Sequence, residues 1–175
     1  MAAALPPKEI ERKFLIRMPD PAVLAKKDDY HSDKITQIYL KDDTATTRVR
    51  RREREGKVTY TRTSKVRINA RSAYEDEREL TEEAYRAALS EADERLSPIE
   101  KVRHSFTENG LVYEIDVYPF WDRLAVLEAE LDEEDQALPI PDCLTVIAEV
   151  TEDRRFKNRG LAEKIPDITP FLSKL

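Results

Sequence analysis

The sequence predicts an α+β fold that is mainly β: an eight-stranded antiparallel β-barrel with flanking helices. Three observations predict it. Charged and apolar residues alternate at period two through eight segments, the pattern of strands with two unlike faces. Turn signals such as Glu55-Gly56-Lys57 and Glu108-Asn109-Gly110 join several of these segments as hairpins. One clear helical period is inserted after the fifth segment. Eight strands closed into a barrel leave room for side chains or one small ligand.

In order, the first strand runs from Glu9 to Ile16. Asp20 reads as a helix N-cap with Pro21 at the first helical position, introducing a short helix through Val23 and Leu24. Strand two is Ile35 to Lys41, strand three Thr46 to Glu55, strand four Lys57 to Val66, and strand five lies within Ala73 to Leu80. Tyr85, Ala88, Leu89, Ala92 and Leu96 recur at helical spacing, which predicts a helix from Thr81 to Leu96. Glu82 and Glu83 suit the positive end of its dipole. Strands six, seven and eight come next, at Ile99 to Phe106, Leu111 to Tyr118 and Leu124 to Leu131. Asp132 to Asp142 is an acidic, proline-containing loop; beyond Asp153 the chain reads as helical until Pro166, and Pro170 breaks the remaining segment.

At 175 residues the chain makes one domain with a core of ordinary size. Residues 1–8 read as a leader, 9–161 as the domain and 162–175 as a C-terminal helical tail. Charged residues make up 38% of the chain, against about a quarter ordinarily. Disorder does not explain this, because apolar residues are interleaved with the charges at period two. The net charge of −6 gives no basic surface for nucleic acid. The cations are nevertheless grouped, which points to a local anionic ligand. Cys143 is the single cysteine, so intrachain disulfides and thiolate zinc sites are excluded. His31 and His104 form no metal motif, and three glycines leave no glycine-rich phosphate loop. Neither a signal peptide nor a membrane span is evident, so a cytoplasmic protein without a membrane partner is expected.

Period two collects one charge-rich face per strand. Glu9, Glu11 and Lys13 share a face of strand one. Arg48, Arg50, Arg52 and Arg54 do so on strand three, and Lys65 joins three threonines on strand four. Glu75, Glu77 and Glu79 lie on strand five, Lys101 and Arg103 on strand six. Strand seven gives Glu114 and Asp116; strand eight gives Glu128 and Glu130. Alternation alone leaves open whether these faces point inward or to solvent, although a merely soluble surface intersperses its signs and this one segregates them. Inward charges must be wet and paired, since burying one unpaired ion costs several kcal/mol. Carboxylate clusters facing Lys and Arg clusters suit hydrated Mg²⁺ or Mn²⁺ together with phosphoryl oxygens.

With these residues in view, the chain resembles the CYTH superfamily, the triphosphate tunnel metalloenzymes, from Glu9 to about Leu161. The family's Glu-x-Glu-x-Lys signature is matched by Glu9, Glu11 and Lys13 in EIERKF. Gln37 and Tyr39, Arg48 and Arg50, Lys65, Lys101 and Arg103, Glu114 and Asp116, and Glu128 and Glu130 succeed it in the family's order. The last block is EVTEDRRFKN, with Glu149, Asp153, Arg155 and Asn158. The resemblance implies an eight-stranded tunnel with its charges inside, a bound triphosphate and a divalent cofactor, Mg²⁺ or Mn²⁺. It implies metal ligation by Glu9, Glu11, Asp116, Glu128 and Glu130. Phosphate contacts would come from Lys13, Arg48, Arg50, Lys65, Lys101 and Arg103, and catalysis from Glu149, Glu77 and Lys13. Strand five departs from the family pattern, leaving its register open between Glu75/Glu77, which we favour, and Glu77/Glu79. The residues ahead of Glu9, Leu5-Pro6-Pro7-Lys8, lack the His-Phe pair of the class IV adenylyl cyclase branch.

The expected activity is therefore hydrolysis of inorganic triphosphate to diphosphate and phosphate. Nucleoside or thiamine triphosphate hydrolysis and adenylyl cyclisation are the alternatives on the same fold. A polyphosphate-binding module without turnover is the alternative of another class. The sequence leaves the oligomeric state open, a homodimer included.

Overall fold

A computed structural model describes residues 4–175, with three of the eight expected leader residues outside that range. Residues 4–7 are irregular, and Lys8 already belongs to the first strand, where it pairs with Tyr74. Nine strands occur among the described residues: β1 (Lys8–Arg17), β2 (Asp28–Tyr39), β3 (Thr46–Arg54), β4 (Lys57–Arg67), β5 (Ser72–Leu80), β6 (Ile99–Glu108), β7 (Leu111–Val117), β8 (Leu124–Glu130) and β9 (Val146–Glu149). Eight of them close into an antiparallel barrel in the order β5-β4-β3-β2-β6-β7-β8-β1, with β1 returning to β5. The two-residue turns at Glu55-Gly56 and Asn109-Gly110 hold all four residues at positive φ, the geometry whose twist matches flanking strands.

β9 was not expected. It is only four residues long and its register is fixed by a distant partner. The edge of β1 is shared: Lys8–Ile10 pair with β5, whereas Phe14–Ile16 pair with β9. Between the two, Glu11 N–H donates to Arg71 O at 2.9 Å and Lys13 N–H to Thr151 Oγ1 at 3.0 Å.

Apolar side chains pack between the barrel's outer face and its covers. Phe106, Tyr113 and Leu127 cluster with Leu24 of α1 (Pro21–Leu24) and with Leu131 and Leu144 of the acidic loop region. Val49 and Leu40 cluster with Tyr85 and Ala88 of α2 (Glu82–Ala88). Leu15, Ile99 and Val126 stand two residues further along the inward faces of Lys13, Lys101 and Glu128. They join Phe156, Leu161 and Trp121 in a dry plug. Phe156 closes a 3₁₀ turn, Arg154–Phe156, and Leu161 lies in α3 (Asn158–Glu163).

Two helical expectations change. Asp20 caps α1 as expected, accepting from Ala22 N–H at 2.9 Å. Thr81 likewise caps α2, but that helix ends at Ala88 and tightens into a 3₁₀ turn, Leu89–Glu91. The end of β2 captures the chain there: Lys41 N–H donates to Glu91 O and Asp93 N–H to Tyr39 O, both at 2.9 Å. Pro170 does not break a helix; it sits in the first turn of α4 (Thr169–Leu172), where its missing N–H costs nothing. No helix among the described residues is long and apolar enough to cross a membrane.

Candidate functional site

The segregated charges face inward, around a cavity of about 1070 Å³. Its lining contains carboxylates and cations in nearly equal numbers. Register explains the segregation: Glu11 stands opposite Glu130 and Lys13 opposite Glu128 on β8, Arg48 opposite Thr63 and Thr63 opposite Glu77.

Deep in the barrel the ions are paired. Lys13 Nζ lies 2.6 Å from Glu128 Oε1, with the lysine side chain 3% exposed. Arg103 grips Asp116 with two bonds of 2.7 and 2.8 Å and reaches Glu114 at 2.7 Å and Glu128 at 3.1 Å. Lys101 Nζ lies 2.6 Å from the same Asp116, both side chains fully buried. Burial would raise Asp116, but Arg103 and Lys101 outweigh it and hold the carboxyl low. Burial and the neighbouring Arg103 pull Lys101 down, and the Asp116 carboxylate opposes them by holding its proton.

Elsewhere in the cavity the same residue types are less completely paired, Arg52 reaching Asp33 only at 3.7 Å. Arg48, Arg50 and Arg52 each carry a buried Nε–H without an acceptor. Arg50 has one hydrogen bond, donating to Gln37 Oε1 at 3.2 Å. Its burial, together with Arg48 and Arg103, lowers its pKa to about 9. Glu9 and Glu75 each bury an Oε2 without a donor in hydrogen-bonding geometry. Lys65 Nζ is 2.8 Å from Glu9 and 3.4 Å from Glu75, so it attracts both carboxylates without saturating either. Burial and the adjoining Glu75 carboxyl raise Glu9. Glu130 is pushed up to about 7 by burial and by Glu114, Glu9, Glu11 and Glu75. A set of mutually repelling carboxylates thus shares a cavity with mutually repelling guanidiniums.

No protein-family model matches the chain. Over 161 residues it is 30% identical to the inorganic triphosphatase of Nitrosomonas europaea, covering 90% of this chain and 99% of that protein. The chain belongs to the CYTH family of triphosphatases. A crystal structure of an inorganic triphosphatase superposes with a TM-score of 0.54 at 30% identity, covering 91% of this chain and 97% of that one. A protein from Pyrococcus horikoshii OT3 shares the fold with a TM-score of 0.57, at 19% identity over 73% and 80% of the two chains.

In this CYTH chain, Glu9, Glu11, Lys13, Arg48, Arg50, Lys65, Arg103, Glu128 and Glu130 all line the cavity. So do Glu75 and Glu77, whereas Glu79 does not. Three residues expected at the site stand elsewhere. Lys101 and Asp116 lie behind the wall, bonded to each other. Glu149 stands opposite Phe14, whose side chain faces outward, and therefore points outward too. There it takes two bonds from Arg12, of 2.8 and 2.9 Å, and borders a small outer cleft with Arg71 and Asp153. Asp153 and Arg155, also matched to the family, pair with each other.

Their neighbours Glu152, Arg154 and Lys157 line the cavity instead. The sequence signal for them was the charge run EDRRFKNR, but without a regular period it does not say which members point inward. Lys157 Nζ donates to Ala70 O at 3.2 Å, and burial with nearby Arg67 lowers it to about 8.

Proposed function

We propose that the protein hydrolyses inorganic triphosphate to diphosphate and phosphate inside the barrel, with Mg²⁺ or Mn²⁺. The observation that carries the reading is the pair of unsatisfied sets in one cavity. The Nε–H groups of Arg48 and Arg50 lack acceptors, and the carboxylates of Glu9, Glu11 and Glu75 have only the one ammonium of Lys65 to share. A buried polar atom without a partner costs about 1–3 kcal/mol, more when charged, so each set favours a ligand of the opposite sign. A polyphosphate satisfies the first. A divalent cation satisfies the second, because hard oxygen ligands suit Mg²⁺ and Mn²⁺.

Glu9, Glu11, Glu75 and Glu130 would hold the cation, which supplies charge neutralisation on the phosphoryl oxygens when bound. Arg48, Arg50, Lys65 and Lys13 would bind and align the chain of phosphates, with Arg103 at the floor. Glu77 borders the cavity, and its Oε2 accepts from Thr63 Oγ1 at 2.9 Å. That bond orients it to accept the proton of an attacking water. Glu149 has no part in this reading, since it is engaged outside by Arg12. Asp116 and Lys101 support the floor in place of direct contacts.

The reading places the protein in the cytoplasm, with a triphosphate as its small-molecule partner. Phosphate release from triphosphate, ATP, thiamine triphosphate and diphosphate tests it, with cyclic AMP measured in parallel. Tyr39 is the matched aromatic at the cavity, and the other lining groups suit phosphate and metal more than a base. We expect kcat/KM for triphosphate to exceed that for ATP by at least about tenfold, roughly 1.4 kcal/mol of transition-state discrimination. Equal turnover of ATP, or cyclic AMP as the main product, would overturn the assignment.

A further inference from the structure

We propose that Asn158 is a substrate-contacting residue whose carboxamide NH₂ donates to a phosphoryl oxygen, held in that attitude by Lys101 and Tyr118. The inference rests on the triphosphate reading and adds to it a neutral donor among charged ones. Asn158 opens α3, where asparagine ordinarily serves as a helix cap, but Lys157 holds the cap position and no side chain caps this helix. The side chain of Asn158 turns instead to the barrel. Its Oδ1 accepts from Tyr118 OH at 2.7 Å and from Lys101 Nζ at 3.3 Å.

Those two donors decide the orientation of the amide. The ammonium has no acceptor to offer, so a flipped carboxamide would set N–H against N–H. With Oδ1 occupied on the buried side, the NH₂ is left for the cavity, which Asn158 lines although the residue is only 7% exposed. No hydrogen bond is made by Nδ2 among the described residues, and the atom is not sealed from water. It is a buried residue's donor pair aimed into a site for an anion.

The same geometry gives Lys101 its role. Its side chain has no exposed surface, and its ammonium is spent on Asp116, at 2.6 Å, and on Asn158. It lies 6.0 Å from the centre of the Tyr118 ring. Asp116 in turn holds Arg103 by two bonds. Lys101 is thus a positioning residue that fixes two groups bordering the cavity without bordering it. A neutral amide in the first of these places donates without repelling Lys13 or Arg103 and without competing for the cation.

Asn158→Asp separates contact from scaffold. The carboxylate still accepts from Tyr118 and Lys101, so the melting temperature should hold or rise, but the donor is gone. Triphosphate kcat/KM should fall about 10- to 100-fold, the scale of one hydrogen bond to a charged group. Asn158→Ala removes the donor without adding charge and should lose a similar factor. Lys101→Met should also lower kcat/KM, and the Lys101→Met/Asn158→Asp double variant should lose less than the product of the two single losses, since the part Lys101 plays through Asn158 is already gone. An active wild type with Asn158→Asp at full rate would overturn the contact. Loss in Asn158→Asp but not in Asn158→Ala would show charge repulsion and overturn the donor role. Additive losses in the double variant would overturn the positioning by Lys101. A folded wild type that does not turn over triphosphate would take down the functional reading itself and this inference with it.

Discussion

Two regions of one barrel interior use the same residue types to opposite ends. At the floor, Lys13, Lys101 and Arg103 each have a carboxylate within 3 Å. Along β3, Arg48 and Arg50 have none within ion-pair distance among the described residues, and their nearest charged neighbours include each other. The floor is self-satisfied and holds the fold together, while its Lys13 and Arg103 also border the cavity. The β3 wall is unsatisfied and belongs to the ligand. A charge inside a protein is therefore read by its partners more than by its depth, since Arg50 is as buried as Arg103.

The largest effect should come from breaking the floor. Asp116→Asn leaves Lys101 and Arg103 without their shared counterion, and removing one partner of a buried pair costs about 3–5 kcal/mol. The urea midpoint should drop with little change in slope. A variant as stable as the parent would erase the distinction between the two regions.

Next comes the wall. Arg50→Ala should weaken triphosphate binding about 10- to 100-fold, because a charge-assisted hydrogen bond is lost. Without ligand the same variant should be as stable or more stable, since Arg48 and Arg103 lose a like-charged neighbour. Calorimetric titration and melting of the ligand-free protein read the two effects apart. Lost stability with unchanged affinity would move Arg50 to the floor's side of the comparison.

The carboxylates opposite should respond to pH. Glu130, at about 7 in the folded chain, must shed its proton before it can hold a cation. Divalent affinity should therefore rise as pH rises through about 7, and Glu130→Gln should flatten that rise. For ligand-free stability the sign is the reverse. The folded state keeps this proton above the ordinary carboxyl value of 4.5, where the unfolded chain has released it. Glu130 thus contributes stability below about 4.5 that is lost as pH climbs through about 7. A wild-type titration indistinguishable from that of Glu130→Gln would refute the assignment.

The smallest effect is expected outside the barrel. Glu149 and Arg12 form a partly exposed pair, worth less than about 1 kcal/mol. Glu149→Gln should leave turnover unchanged. A collapse of activity in that variant would show that Glu149 swings inward.

The inward set was legible because alternation survives in each long strand. Glu9, Glu11 and Lys13, or Arg48 and Arg50, keep their parity over enough residues for one face to declare itself. Depth was not legible. Lys101 and Arg103 are neighbours on one face, and only the curvature of the barrel and the seat of Asn158 put one behind the wall and the other at the cavity. Glu149 was misplaced because its direction is inherited from Phe14, more than a hundred residues away, through a four-residue strand with little period of its own. The truncation of α2 has the same origin: its periodic residues continue to Leu96, but the backbone of β2 claims Glu91 and Asp93 first.

The shared edge of β1 also orders events in time. β1 precedes all of its partners in the chain and takes them from β5, β8 and β9, so most of them are the last of the nine strands to be made. Until Leu124–Glu149 has emerged, EIERKFLI has no complete seat, and its long-range pairings must await chain closure, the slow kind of contact. The meander from β2 through β5 needs no such wait, apart from the β2–β6 join. Folding of the barrel would then finish at β1. The acids of the signature would enter a barrel whose arginines have been gathered, and left without counterions, since β3 and β4 first met.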